Sequence, residues 1–181
     1  MKANATAPAA ITPSTPSLPL HTISVLVRNQ PGVLVRVALV FARRGFNIES
    51  LVVSPDEVRS QFSRMTITCS GDPETLEQIS KQVAKLVDVV QAIDHTGQSV
   101  VETEIALIKI RVPLNGRTEI LQVADHYQGK VVDCCADSLI LRVTGASEKL
   151  DSIIALLRPF GVIEMVRSGK VLMTRGPEPT T

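Results

Sequence analysis

The chain has 181 residues, of which 44% are hydrophobic and only 3% aromatic, with one Tyr and no Trp. That length allows one or two domains with a real core, and a core of Val, Ile and Leu favours sheets with amphipathic helices. Nineteen basic and 18 acidic residues leave a net charge of +1; without a basic patch or stacking aromatics the balance argues against a nucleic-acid binder, and no apolar run reaches the roughly 18 residues of a membrane helix.

Residues 1–19 are rich in Ala, Pro, Thr and Ser, without the layout of a secretory signal or the Arg of a transit peptide. A disordered tail is predicted there. In the next segment Ile23, Val25 and Val27 alternate as in a half-buried strand. A tight turn, Asn29-Gln30-Pro31-Gly32, leads into a helix with Leu34, Val37, Ala38 and Phe41 at i, i+3, i+4 and i+7. Pro31 suits the first helical turn, and Gly32 allows close approach of a ligand or another backbone. Free N–H groups at that helix start make a seat for a carboxylate. Arg43 and Arg44 precede Gly45, an ordinary dipole and capping pattern.

Gly45-Phe46-Asn47-Ile48 opens a strand over 46–54, followed by a polar connection from Ser54. The next strand sets Met65, Ile67 and Cys69 on one face and Arg64, Thr66 and Thr68 on the other. Asp72-Pro73 reads as an N-cap and first helical residue, ahead of Leu76, Ile79, Val83 and Leu86 at helical spacing. A strand from Val89 to His95 completes a β-α-β-β-α-β order.

The second half repeats the plan. Glu104–Val112 reads as a strand, and Asn115-Gly116 as the start of a helix carrying Ile120, Val123, Ala124 and Tyr127, ended by Gly129. Lys130–Cys135 and Leu139–Val143 form a hairpin. Ser147 is placed to cap a helix with Leu150, Ile153, Ile154 and Leu157, and strands at 162–167 and 170–174 finish the unit. The predicted fold is α+β: two ferredoxin-like βαββαβ units, each a four-stranded antiparallel sheet with two helices on one face. The boundaries fall at 20–97, 98–175 and a frayed tail at 176–181. The open sheet faces and edges call for cover from within the chain or from another chain.

No reactive constellation emerges. His21 and His95 read as surface positions, and His126 beside Asp125 as a solvated helix end; no metal site is predicted. Gly-x-Ser-x-Gly, His-Glu-x-x-His and Cys-x-x-Cys are all absent from the sequence. Ser168-Gly169-Lys170 reads as a hairpin turn. Three cysteines, Cys69, Cys134 and Cys135, lack framework spacing, which points to a reducing, cytoplasmic setting. A chain with a carboxylate seat and no catalytic group suits sensing better than turnover. An amino acid could place its carboxylate on the helix start and its ammonium near Asn29 and Asn47, with an apolar side chain on Val33, Leu34 and Ile48.

Pro31-Gly32-Val33-Leu34, Arg43-Arg44-Gly45-Phe46-Asn47-Ile48-Glu49-Ser50-Leu51, Ser63-Arg64-Met65-Thr66-Ile67, Ala106-Leu107-Ile108-Lys109 and Ser168-Gly169 together resemble the small regulatory subunit of acetolactate synthase, over residues 20–176. The resemblance implies that the first unit is an ACT domain that pairs with a second copy to form a homodimer. It further implies that valine binds between the two. Asn29, Gln30, Pro31, Gly32, Val33 and Leu34 would come from one chain, and Asn47 and Ile48 from the other. The implied partner is a separate large catalytic subunit that carries thiamine diphosphate, Mg²⁺ and FAD, so no cofactor is expected in this chain and no catalytic residue. The small subunit would activate that partner and confer feedback inhibition by valine in branched-chain amino acid biosynthesis. Arg43, Arg44 and Glu49 are candidate contacts to it. Arg28 stands where the family often carries an acidic residue, and Val35 where a small or polar one is common. A stand-alone amino-acid-binding module is the alternative reading.

Overall fold

The computed structural model describes residues 19–113 and 116–181; residues 1–18 of the tail predicted at 1–19, and Asn115, lie outside them. The first unit runs β1 (Leu20–Arg28), α1 (Val33–Arg43), β2 (Asn47–Pro55), β3 (Phe62–Ser70), α2 (Pro73–Val83) and β4 (Val89–Asp94). Its sheet is antiparallel with strand order β2-β3-β1-β4. The second runs β5 (Val100–Arg111), α3 (Arg117–His126), β6 (Lys130–Cys134), β7 (Ser138–Gly145), α4 (Ser147–Leu157), a 3-10 turn (Arg158–Phe160), β8 (Val162–Arg167) and β9 (Val171–Thr174). The fold is therefore the expected α+β pair of ferredoxin-like units. The second sheet, however, has five strands, not four. The order β6-β7-β5-β8 is joined by β9, which pairs with Val100–Thr103 at the start of an extended β5.

Period-two patterning builds both cores. Ile23, Val25, Val27, Met65, Ile67 and Cys69 face Val33, Val37 and Phe41 of α1 and Leu76, Ile79 and Val83 of α2. In the second unit Ala106, Ile108, Ile110, Leu139, Leu141 and Val143 face Ile120 and Ala124 of α3 and the apolar stripe of α4. Each of the Val, Leu, Ile, Met and Phe side chains among them contributes roughly 1.5–3 kcal/mol when fully buried. The inner stripe of α1 differs from the expected one. Val33, Val37 and Phe41 point inward, whereas Leu34 is 41% exposed. The reason is phase: the helix begins at Val33, and positions i, i+4 and i+8 then share the core side.

Helix ends show where local chemistry was readable. Asp72 Oδ1 accepts the Thr75 amide at 2.8 Å, with Pro73 at the first turn, as expected. Ser147 does not cap α4; Ala146 occupies that position, and the Ser147 hydroxyl donates to the Glu104 carboxylate. α3 ends in a Schellman motif in which Gln128, not Gly129, takes the left-handed conformation (φ 56°). Gln128 N donates to Asp125 O at 2.9 Å and Gly129 N to Ala124 O at 2.7 Å. Gly129 is there for space, since a Cβ would meet Ala124 O and Val143 Cγ2 at 3.2 Å.

Two further expectations are corrected. His21 and His95 are buried, each 3% exposed, because the connection between the units folds over them. His21 Nε2 donates to the Gly71 carbonyl at 3.0 Å, and the His95 amide donates to Thr22 O at 2.9 Å. Residues 176–181, expected to fray, fold back instead. Thr180 Oγ1 accepts the Thr174 amide at 3.1 Å, and Arg59 donates to the Thr181 main-chain oxygen at 3.1 Å. Thr180 and Thr181 are both buried.

Candidate functional site

The strand-to-helix loop of the first unit is held by main-chain bonds. Asn29 N donates to Gln61 O at 2.8 Å, Gln30 N to Arg28 O at 3.0 Å, and Arg28 N to Asp88 O at 2.8 Å. Gly32 is the N-cap of α1 with φ 83°. That left-handed turn, more than close approach, is why glycine is needed there. Pro31 consequently lies in the turn before the helix and not in its first turn. No side chain caps α1 and no acidic residue stands in its first turn. The first helical bond is Arg36 N to Gly32 O, so the Leu34 and Val35 amides have no intrahelical acceptor. The helix end is therefore uncapped, with the positive pole of its dipole facing outward.

Arg28, Asn29, Gln30, Gln61 and Phe62 line a hollow of about 380 Å³ beside it. Arg28 is exposed and contributes a cation to this rim. A second cation, Arg36, is occupied: its Nε and Nη2 lie 2.7 and 2.6 Å from Asp88 Oδ2. That pair ties the first turn of α1 to the approach of β4.

The predicted site residues fall into two groups. Asn29, Gln30, Pro31, Gly32 and Leu34 cluster at the loop with exposed side chains, but Val33 is buried in the core and is not available to a ligand. Asn47 and Ile48 lie elsewhere. Arg28 pairs with Phe62 at one end of β1, whereas Asn47 pairs with Ser70, which also pairs with Leu20 at the other end. Eight residue steps of strand separate them, roughly 27 Å. One chain does not bring the two amides together. At its own end, Asn47 Nδ2 donates to Glu49 Oε1 at 3.0 Å and Ser70 Oγ to the same oxygen at 2.8 Å. These two hydrogen bonds hold the Glu49 carboxyl below its usual range. Arg43 is exposed nearby, and Arg44 Nη1 donates to Gln78 Oε1 at 2.9 Å.

Gln61, Phe62, Arg36 and Asp88 were not singled out from the sequence. They reach the loop only through strand pairing and the α2–β4 connection, which leave no local signature. Among the described residues no group of three or more His, Cys, Asp or Glu is placed to hold a metal, and no helix is long and apolar enough to cross a membrane. Cys69 is buried, and that burial pushes its thiol up to about 11, so it is poorly nucleophilic.

A ferredoxin-like unit with an uncapped, glycine-turned helix start, followed in tandem by a second such unit, defines an ACT-type class of protein. Residues 23–91 match the family model for the AHAS small subunit-like ACT domain, and residues 103–176 match that for the small subunit of acetolactate synthase. The chain is 42% identical over 160 residues to the acetolactate synthase small subunit of Mycobacterium leprae, covering 88% of this chain and 94% of that one. It is 44% identical over 156 residues to the acetolactate synthase small subunit of Aquifex aeolicus, covering 86% and 81%. The crystal structure of the acetolactate synthase small subunit from Thermotoga maritima superposes with a TM-score of 0.79 at 40% identity, covering 89% of this chain and all of that one. The chain belongs to the acetolactate synthase small-subunit family.

Proposed function

We propose that this chain is the regulatory subunit of an acetolactate synthase: it binds a separate large catalytic subunit in the cytoplasm, raises its activity and makes it subject to inhibition by valine. Family membership across both units carries this reading. Thiamine diphosphate, Mg²⁺ and FAD would belong to the catalytic subunit, which joins pyruvate to pyruvate or to 2-oxobutyrate. The effector site is formed between two copies. One chain supplies the amides at the α1 start with Asn29 and Gln30, and the other supplies Asn47 and Ile48. The separation of these groups along β1 within one chain supports this division, because only a second chain supplies the missing half. Leu34 in place of the buried Val33 offers apolar contact to the valine side chain.

The test is acetolactate formation by the purified catalytic subunit of the same source, with and without this chain, across a valine titration. A rise in rate with valine inhibition is expected. No effect on the rate would favour the stand-alone amino-acid-binding module. Gly32→Asp is expected to remove the valine response and keep the activation, because its carboxylate repels that of the ligand. Gly32→Asn, which tolerates the left-handed turn without the charge, separates repulsion from strain. Unchanged inhibition in Gly32→Asp would move the effector site elsewhere. Valine should also tighten the homodimer, since a ligand held by both chains stabilises their pairing.

A further inference from the structure

The connection between the two units is pinned. Asp94 Oδ1 accepts the Thr96 amide at 2.9 Å and the Thr96 hydroxyl at 2.6 Å, and Thr96 Oγ1 lies 3.2 Å from His21 Nδ1. Beside it opens a cleft of about 290 Å³, bounded by Leu20 and His95 of the first unit and by Glu102, Lys170 and Leu172 of the second. Leu20 is the first residue of β1, so this cleft lies at the opposite end of that strand from Asn29.

The hydrogen-bond network orients the His95 ring. Gln98 Nε2 donates to Asp94 O at 2.9 Å, which turns Gln98 Oε1 toward His95 Nδ1 at 3.2 Å. Nδ1 then donates to that oxygen, and in the neutral ring Nε2 keeps the lone pair. That nitrogen is buried and has no partner. A hydroxyl can rotate to find an acceptor or donor; an imidazole held at its other nitrogen cannot. The site therefore lacks one hydrogen-bond donor. Across the cleft, Lys170 Nζ lies 3.0 Å from each oxygen of Glu102, and both side chains are three-quarters or more buried. This ion pair presents an acceptor and a cation side by side.

We propose that this cleft is a second ligand site, taking a small α-amino acid as its zwitterion. The ammonium supplies the donor that His95 Nε2 lacks and reaches Glu102, while the carboxylate meets Lys170. Leu20 and Leu172 offer apolar contact to a short aliphatic side chain. His95 Nε2 is sealed from water as well as from protein donors, so a ligand reaches it by parting the walls. Those walls belong to different units, and occupancy therefore resets the first unit against the second. Unlike the valine site proposed above, this one is complete within a single chain and does not depend on that reading.

Long-range ¹H–¹⁵N spectra of the full-length protein labelled at histidine report directly on His95 Nε2. Glycine, L-alanine and L-valine are the probes, titrated to tens of millimolar. The expected result is a saturable shift of Nε2 on binding. It persists in Gly32→Asp and weakens at least about tenfold in apparent affinity in Lys170→Gln. Glu102→Gln, which keeps the shape of the pair, should weaken binding similarly and guards against misfolding of the lysine variant. A His95 resonance unmoved by all three probes would overturn the site. So would a shift that disappears in Gly32→Asp, which would trace it to the loop at Asn29. A long-lived water found bonded to Nε2 in the ligand-free protein, undisplaced by any probe, would make the cleft a hydration site and also overturn the proposal.

Discussion

Thr22, Ser24, Thr66 and Thr68 lie with Leu26 on the outer face of the first sheet, opposite its helices, and none of the five is more than 9% exposed. On the matching face of the second sheet Ile105, Leu107 and Val166 are 45%, 43% and 57% exposed. The hydroxyl residues of the first face are buried and these apolar side chains of the second are open, the reverse of what side-chain polarity alone would assign. The difference lies in what the rest of the chain does. The β8–β9 turn places Gly169 against Ser50 and Val52 of β2, so closely that a Cβ there would meet Ser50 at 2.9 Å. Arg59 and Thr181 bind the closing residues to the first unit. Small hydroxyl residues suit such a covered face because another backbone must approach it. The second sheet keeps a shallow hollow of about 150 Å³ between Leu107, Lys109, Ile140, Glu164 and Val166.

The largest effects should come from the cores that the two units share in kind. Ile67→Ala and Ile108→Ala should each cost about 2–5 kcal/mol in denaturant unfolding, as both side chains are fully buried. The seated Gly169 and the Arg59–Thr181 hydrogen bond join the units, so a single transition is expected; two resolved transitions would show that the units are stabilised separately. On the outer faces the contrast becomes sharper. Ser24→Leu should cost about 1–3 kcal/mol by overpacking a site with no free space, whereas Leu107→Thr should stay within about 0.5 kcal/mol. Equal costs would mean that the two faces are covered alike.

Two smaller effects belong to the first unit and depend on pH. The Cys69 thiol is raised by burial, so the folded state holds its proton more tightly than the unfolded chain. Its contribution is complete below the unfolded value, about 8.5, and is lost as pH rises toward about 11. Cys69→Val should flatten the alkaline limb of a thermal-melt series, and an unchanged limb would assign it to other groups. Asp72 is held below the usual carboxylate range by the Thr75 amide. The stabilisation it gives is present above about pH 4 and fades as pH falls through the lowered value. Asp72→Ala should lower the melting temperature modestly at neutral pH and more weakly in acid; an equal loss at all pH values would mean that the cap acts without its charge.

Legibility followed the range of the interaction. Asp72-Pro73 could be read because an N-cap bond spans three residues. Gln128 could not, since a non-glycine residue is held left-handed only by the bonds around it and by the packing of Gly129 against Val143. The loop Asn29–Gly32 was visible as a turn before an amphipathic helix, but the burial of Val33 depended on the residue at which α1 begins. His21 and His95 looked like surface positions because both stand at strand ends; His21 is covered by Thr96, far away in sequence, and His95 by the pairing of its strand with Thr22.

The sequence alone determined the order of elements, the two βαββαβ units, most of the core and the family, because alternation, helical spacing and short motifs are local. Tertiary structure decided which sheet face is covered, that β9 extends the second sheet, that the closing residues fold back, and that Asn29 and Asn47 stand at opposite ends of one strand. Each of these depends on the meeting of segments tens of residues apart, and the energy of such contacts is not written in the spacing of either segment.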